Sequence, residues 1–305
     1  MRMEDRPMKA EELARMFRVG DGTKFSLDRF DPADTNGLDI DKSEAKELLA
    51  SNMDKMRKLQ ERLYAEGKWA ILIVLQAMDA GGKDSAIEHV MSGINPQGCE
   101  VRSFKVPSPN ELKHDFLWRH ARVLPERGRI GIFNRSHYEE VLVVRVHPQI
   151  LDNQSLPAKL IDDGIWERRF QDIRSFEKHL ANNGTVVLKF FLHISKEEQA
   201  RRFLDRIDEP EKNWKFSFGD LEERKLWDRY MEAYEDMIRN TAREYAPWHV
   251  VPSDSKWFSR LVISAALVEA LERIDPQFPE LSEEDRQKMK DARDSFAGEI
   301  GKKAG

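Results

Sequence analysis

The stretch Trp69-Ala-Ile-Leu-Ile-Val-Leu-Gln-Ala77 is an unbroken apolar run that passes directly into Met78-Asp79-Ala80-Gly81-Gly82-Lys83-Asp84-Ser85. Such a run suits a strand buried on both faces of a parallel sheet, a setting that requires helices on either side. Gly81 and Gly82 let the chain turn tightly with its N–H groups pointing inward, and a helix starting near Lys83 aims its positive end at the same point. Strand, glycine turn and helix together make a phosphate-binding loop. Ala80, Gly81, Gly82, Asp84 and Ser85 form its cradle, and Lys83 supplies a mobile point charge for a terminal phosphate. The loop is a variant of the usual pattern of glycine, four residues, Gly-Lys and then Ser or Thr, because Ala77 stands for the first glycine and Asp84 for the hydroxyl. The plainer reading is an ordinary strand-turn-helix with a solvated lysine, and Asp79 argues against it. A carboxylate inside an anion-binding loop repels phosphate unless it holds a metal ion or positions an incoming acceptor, so Asp79 and Lys83 are expected to be catalytic.

Four further strand-like segments, 99–106, 129–134, 185–194 and 249–252, alternate with helical patterns at 42–66, from about 138, at 165–180 and at 257–274. The alternation predicts an α/β fold with a parallel five-stranded sheet flanked by helices, its ligands lying beyond the carboxyl ends of the strands. Ser195 and Glu198 predict a capping box for the helix after the fourth strand. The chain divides into an arm at 1–45, a central domain at 46–278 that includes a candidate lid at about 201–225, and a charged helical tail at 279–305. The aspartates Asp31, Asp34, Asp39 and Asp41 lack the glycine and closing glutamate of a calcium loop and read as solvated turn residues.

A formal net charge of −5 argues against a generic nucleic-acid binder, although the arginines and lysines cluster enough to build a local anion groove. The single cysteine, Cys99, excludes an internal disulfide and a cysteine-built zinc site. No apolar run approaches the roughly 20 residues that span a bilayer, and no apolar signal segment opens the chain. A cytoplasmic protein without membrane or nucleic-acid partners is expected.

The third strand ends in Ile130-Gly-Ile-Phe-Asn134-Arg135-Ser136-His137-Tyr138-Glu139-Glu140. Asn134 occupies the strand-end place where phosphate-loop enzymes keep an aspartate for magnesium. Arg135 beside it is placed to neutralise a transferring phosphoryl group, the alternative being a surface arginine in a turn. Glu139 is the candidate to replace the missing strand-end carboxylate, which would make Asp79 and Glu139 the metal ligands. Arg202 and Arg206 fall four residues apart on one helical face and could grip phosphate or simply be solvated. Lys212-Asn-Trp-Lys215-Phe-Ser-Phe218 mixes basic and aromatic residues as a lid over a nucleotide would, though Trp214, Phe216 and Phe218 could equally anchor a core. His114, His120, His137 and His147 lack metal-ligand spacing and are expected to be structural or at the surface.

Taken together, Gln76-Ala-Met-Asp79-Ala-Gly-Gly-Lys83-Asp, Phe104-Lys-Val-Pro107, Phe133-Asn-Arg-Ser-His-Tyr138, Lys189-Phe-Phe-Leu-His193 and Asn213-Trp-Lys-Phe-Ser217 resemble the phosphate-loop kinases called polyphosphate kinase family 2. The resemblance covers about 25–278, and the form Phe-Asn-Arg-Ser-His-Tyr is similar to the subgroup called class III. It implies a P-loop kinase fold of the thymidylate-kinase-like type with a helical lid, and dimeric or tetrameric assembly. The implied activity is phosphoryl transfer between inorganic polyphosphate and nucleoside mono- and diphosphates (AMP, ADP, GMP, GDP and the product triphosphates) with Mg2+, for which Mn2+ can substitute. Residue by residue it implies that Asp79 holds metal or the acceptor phosphate, Lys83 binds the transferred phosphate, Arg135 stabilises charge, and Arg202 or a neighbour is the lid arginine. A long polyanion also needs a basic channel, for which Arg119, Arg122, Arg127, Arg129 and Lys105 are the candidates. Two other readings stand beside it: a nucleotide kinase with ATP as donor, from which Ala77 and Asp84 lean away, and a silent nucleotide- or polyphosphate-binding scaffold, which Asn134 keeps open.

Overall fold

The computed structural model describes residues 10–35 and 42–302. A short helix α1 (Ala10–Met16) leads into the two-residue strand β1 (Arg18–Val19), and α2 (Lys42–Glu66) delivers the chain to β2 (Ala70–Ala77). There follow α3 (Lys83–Val90), β3 (Cys99–Ser103), α4 (Trp118–Ala121), β4 (Ile130–Asn134), α5 (Val143–Val146), α6 (Ile165–Asn182) and β5 (Thr185–His193). The last part holds α7 (Lys196–Asp208), α8 (Phe218–Lys225), α9 (Trp227–Thr241), β6 (Trp248–Pro252), α10 (Lys256–Ile274) and α11 (Glu283–Lys302).

The sheet runs β1-β6-β5-β2-β4-β3. Strand β2 is buried at every position, as its apolar run requires, and is flanked in parallel by β4 and β5, with Leu75 opposite both Asn134 and Phe190. This register brings the loop after β2, the turn after β4 and the start of α7 to one edge of the sheet. The sheet has six strands and is mixed, against the five parallel strands expected, because β1 adds antiparallel to β6 with Arg18 opposite His249. Two residues show no alternation, so the sequence pattern could not announce that strand. The expected helix from about 138 is a 3-10 turn, His137–Val141, followed by the single turn of α5.

Both faces of the sheet are covered. On one, Met56 and Leu63 of α2 pack with Phe258 and Leu267 of α10, and Leu13 and Ala14 of α1 with Phe17 just after it join the same cluster. On the other, Tyr138, Ile173, Met237 and Trp248 fill the space between the sheet, α6 and α9. The Ser195 hydroxyl accepts the Glu198 N–H at 3.1 Å, but the return half of the capping box is absent, since the Ser195 N–H goes to Asp254 Oδ1 (2.8 Å) and the Glu198 carboxylate to Arg201 and Arg202. Asp31 caps a turn by accepting the Ala33 N–H at 2.8 Å, while Asp39 and Asp41 lie outside the described residues. The described part of α11 is exposed along its length, with Met289, Phe296 and Ile300 open to solvent. Among the described residues no helix is long and apolar enough to cross a membrane.

Three histidines are kept neutral by burial, which pushes His193 down to about 4, His249 to about 3 and His120 to about 2 from the ordinary 6.5. The unfolded chain therefore binds more protons than the native one below pH 6.5, and stability must fall as the pH drops from there toward 4. Each histidine contributes at most about 1.4 kcal/mol per pH unit. Urea unfolding at pH 7 and pH 5 checks this, and equal midpoints would contradict it.

Candidate active site

The turn after β2 is shaped by backbone that side chains resist. Ala80 and Gly82 have positive φ angles, 60° and 102°, and a Cβ on Gly81 would lie 2.6 Å from the Ala77 Cβ and 2.8 Å from the Met78 carbonyl oxygen. Lys83, the first residue of α3, folds back so that Nζ donates to the carbonyls of Ala77 (2.8 Å) and Met78 (3.4 Å). Helix α7 holds the turn from outside: Gln199 Nε2 donates to the Asp79 carbonyl (2.8 Å) and Arg202 to the carbonyls of Ala80 (3.0 Å) and Ser253. Arg260 of α10 donates to the Ser85 hydroxyl at 2.8 Å. Gly81→Ala should displace this turn by a large part of an ångström, and misplacement on that scale costs roughly 100-fold in rate. Turnover should fall by about that factor, with a loss of stability of about 1–3 kcal/mol because a backbone oxygen must give way; a Gly81→Ala enzyme of normal rate would show the close approach to be unimportant.

Arg135 stands opposite. It too has a positive φ (61°), and its N–H donates to the Leu75 carbonyl at 3.1 Å, which stitches the turn after β4 to the end of β2. Left-handed backbone at a non-glycine residue is unfavourable and persists where surrounding contacts impose it. The guanidinium donates to Asp79 Oδ1 (2.9 Å) and lies 3.5 Å from Glu139 Oε2. Gln76, buried near the end of β2, lies between Glu139 Oε1 (2.8 Å) and the Ser136 hydroxyl (3.0 Å), and the amide orientation that satisfies both has it donating to the carboxylate and accepting from the hydroxyl. Two cations and two carboxylates are thus held together, and their proton affinities reflect it. Burial pushes Glu139 up against the pull of Arg135 and Lys83, and it pushes Lys83 down, helped by repulsion from Arg135. Partial burial works against the Arg135 charge too, but Glu139 and Asp79 outweigh that cost and raise its proton affinity. Asn134 donates from Nδ2 to Asp84 Oδ1 at 2.6 Å, so its amide serves the loop.

The remaining sequence candidates fall in different places. Arg202 is buried, and its guanidinium is occupied by Glu198 and by backbone carbonyls of the two turns. Arg206 pairs with Asp220 of α8 (3.4 Å) and donates to the Lys215 carbonyl (3.2 Å). Trp214 and Phe218 are 79% and 80% exposed, whereas Phe216 packs edge-on against Phe203. Arg119 and Arg122 lie over the rings of Phe104 and Trp118 and, with Arg102 and Lys105, line a groove of about 550 Å3. Arg127 and Arg129 precede β4 at the opposite end of the sheet, where Arg127 donates to the Asn183 carbonyl (3.4 Å), so they stand outside that groove. His114 stacks on Trp118, His147 meets Glu223 at 2.9 Å, and His120 and His137 are buried.

Two cavities meet at Arg135 and Glu139, which wall both. One, about 240 Å3, lies between these residues and Phe104, Phe116, His120 and Val143. The other, about 260 Å3, lies on the side of α8 and α9, where Asp79, Asp220, Glu223 and Tyr230 face it. Nothing in the sequence marks Asp220 as a site residue. Its carboxyl is pushed up by burial and then by Asp79, which records how near the helix after the aromatic segment comes to the loop.

Behind Arg135 lies a support that the sequence disguises as a plain strand. Lys189 of β5 is fully buried and donates to Glu177 Oε2 (2.7 Å), the Tyr138 hydroxyl (2.8 Å) and the Thr241 carbonyl (2.9 Å), while Tyr138 donates to Glu177 Oε1 (2.6 Å). Tyr138 belongs to the turn that carries Arg135 and Glu139, so the buried ion pair fixes that turn to α6 and β5.

The comparisons agree with the motifs. A family described as Polyphosphate kinase 2 (PPK2) matches residues 39–279. An ADP-polyphosphate phosphotransferase of Rhodopseudomonas palustris is 51% identical over 90% of this chain and 95% of its own length. An AMP/ADP-polyphosphate phosphotransferase of Meiothermus ruber is 50% identical over 87% and 96%. The crystal structure of polyphosphate kinase 2 from Arthrobacter aurescens superposes with a TM-score of 0.83 at 40% identity, over 90% of this chain and 94% of that one. With the fold, the loop and the matched length all in agreement, the chain belongs to the polyphosphate kinase 2 family.

Proposed function

We propose that this protein transfers phosphoryl groups between inorganic polyphosphate and nucleoside mono- and diphosphates, taking AMP to ADP and ATP and the guanine nucleotides likewise. The observation that carries the reading is the pairing of Arg135 with both Asp79 and Glu139 above the phosphate loop, with a cavity on either side. A transfer between two polyanions needs two binding spaces that share one charge-neutralising group. The terminal phosphates of polyphosphate lie on the 79–85 loop, where inward N–H groups, the amino end of α3 and Lys83 receive them. The nucleotide enters from the cavity beside Phe104, its phosphates reaching Arg135 past Arg119. Arg135, released in part from Asp79, follows the charge that spreads over the moving phosphoryl group. Arg206 and Asp220 move with the segment at 201–225, which closes over the reacting phosphates and excludes water. Arg122, Lys105 and Arg102 hold the remaining negative charge of the bound chain in the groove.

The residues fit a magnesium ion, with manganese as a substitute. Asp79 and Glu139 converge from opposite sides on Arg135, and hard oxygen donors of this kind suit magnesium, which takes one or two carboxylates and completes its shell with phosphate and water. Bound there, the ion would supply charge neutralisation between the two phosphates. The exposed apolar positions Met289, Phe296 and Ile300 of α11 offer a surface for homo-oligomer assembly as a dimer or tetramer, and the cytoplasm is where the nucleotides are found.

Product analysis tests the reading. AMP, ADP, GMP and GDP are each incubated with Mg2+ and long-chain polyphosphate, with ATP as the donor control, beside the Lys83→Ala protein. We expect ATP and GTP from polyphosphate, and a loss of roughly 100-fold or more for Lys83→Ala, the scale on which removal of one preorganised charge-stabilising donor acts. Transfer from ATP alone would make the chain an ordinary nucleotide kinase, and no transfer by a folded protein would leave a binding scaffold.

A further inference from the structure

We infer that Tyr234 is a further catalytic residue, its hydroxyl donating a hydrogen bond to an oxygen of the phosphoryl group held between the 79–85 loop and Arg135. This rests on the phosphotransferase reading, in which phosphates lie on that loop. Tyr234 belongs to α9 and is 3% exposed. Its ring stacks on Phe191 of β5 with centroids 4.2 Å apart, and Phe191 stands opposite Gln76 of β2. The ring is therefore fixed beside the strand end from which the loop starts. Its hydroxyl has no hydrogen-bond partner among the described residues, in contrast to Tyr230 one helical turn earlier, whose hydroxyl donates to Glu223 at 2.6 Å. The polar atoms sealed from solvent without a partner belong to residues such as His137 and His249, and the Tyr234 oxygen is not among them, so it opens onto the cavity that Tyr234 lines. The groups that act on it electrostatically, Glu139, Asp79, Tyr230 and Arg135, all wall that same cavity.

A phenol so placed costs stability in the free protein, because a polar group withdrawn from bulk water is given no partner in return, and a ligand that accepts from it recovers the cost. What that ligand offers follows from the walls. Asp79, Glu139, Asp220 and Glu223 face the cavity and repel a phosphate unless donors offset them. Among the side chains that line it, Arg135, Tyr230 and Tyr234 carry donors, and the Tyr230 hydroxyl is spent on Glu223. Arg135 supplies the charge and Tyr234 the remaining hydrogen bond. Met78 and Asp79 of the phosphate loop form part of the same wall, so the group that reaches this hydroxyl is a phosphate. Its oxygens accept, and the charge that spreads over them during transfer rewards a donor already in place. Burial raises the phenol above its ordinary value, and Glu139 and Asp79 push the same way, so it stays protonated and donates throughout the working range.

The test compares wild type with Tyr234→Phe, which keeps the ring on Phe191 and removes only the hydroxyl. A hydrogen bond to a charged group is worth about ten- to hundredfold in a rate or binding constant, so kcat/KM for polyphosphate should fall by about that factor while KM for ADP holds. Calorimetry with tripolyphosphate and Mg2+ should show Kd rising about tenfold. Without ligand the variant should unfold at or above the wild-type temperature, because the lost hydroxyl had no partner there. A folded Tyr234→Phe protein with wild-type kinetics and wild-type tripolyphosphate affinity would overturn the inference. So would a loss confined to KM for ADP, or a lower unfolding temperature without ligand, which would mark the hydroxyl as structural. If wild type binds tripolyphosphate but transfers nothing from polyphosphate, the phosphotransferase reading falls, and the two titrations still judge Tyr234.

Discussion

Arg135→Ala is expected to lower kcat for ATP formation from ADP and polyphosphate by about 1,000-fold or more, the range over which an arginine that meets phosphoryl-transfer charge acts. The geometry gives the reason. Among the described residues the guanidinium is the one cation shared by both cavities, and at 2.9 Å from Asp79 and 3.5 Å from Glu139 it is already oriented before substrate arrives. Its removal also leaves Asp79 and Glu139 facing each other and the incoming phosphates with only Lys83 to balance them. Burial already raises Glu139, and without Arg135 it should rise further, so the residual activity of the variant should have a pH profile displaced toward the alkaline side. Arg135→Lys keeps the charge but loses the planar fork that reaches two carboxylates at once, and it should retain only about one part in 100 of the rate, an order set by misplacement of a charged group. Both proteins should unfold near the wild-type temperature, because the side chain is half exposed. A rate within about tenfold of wild type for Arg135→Ala, in a folded protein, would mean that charge is neutralised elsewhere and that the two-cavity reading is wrong.

How much of this is readable in advance depends on whether a residue's task is written in its neighbours along the chain. The strand at 69–77 announces itself because burial on both faces demands an unbroken apolar run, and the loop after it because glycines and a lysine follow at fixed places. Arg135 is legible because it follows a strand end. The edge strand Arg18–Val19 is not, since two residues carry no period and their pairing with β6 is set by tertiary contact. Arg202 has the spacing of a phosphate-gripping residue, yet the structure engages it with Glu198 and the carbonyls of Ala80 and Ser253. Helical spacing tells which residues share a face and is silent on what that face meets. Sequence proximity groups Arg127 and Arg129 with the groove, although a strand of only five residues separates the two ends of the sheet. Gln76, Gln199 and Asp220 act through partners dozens of residues away or across a turn of the fold, and nothing local marks them. Glu177 is the same case, a single acid in a charged helix whose distinction is that it faces Lys189.

That pair supports the second large expectation. Lys189→Met should destabilise the fold by about 3–5 kcal/mol, the cost of leaving a buried charge without its partner. Glu177 would remain beneath Tyr138 and His137 with its main counter-charge gone. The double change Lys189→Met with Glu177→Leu removes both charges together and should be markedly less destabilising than the sum of the single changes, since residues in one buried network couple. The Lys189 amine also leaves a pH signature. Burial pushes it down to about 8 from the ordinary 10.5 even though Glu177 holds it up, so between those values the unfolded chain binds the extra proton. Wild-type stability should therefore gain on the Lys189→Met protein as pH rises from about 8 toward 10.5, and the gap between them should stay constant below about pH 7 as far as this group is concerned. Urea unfolding of the four proteins across that range measures both effects. Activity gives the deciding contrast with a purely structural role: Tyr138→Phe removes only the hydroxyl that links the ion pair to the Arg135 turn. If the pair positions that turn, this variant should lose kcat while keeping KM for both substrates and most of its stability. A Tyr138→Phe enzyme with full kcat would show that the positive-φ turn holds Arg135 unaided, and that the buried pair serves stability alone.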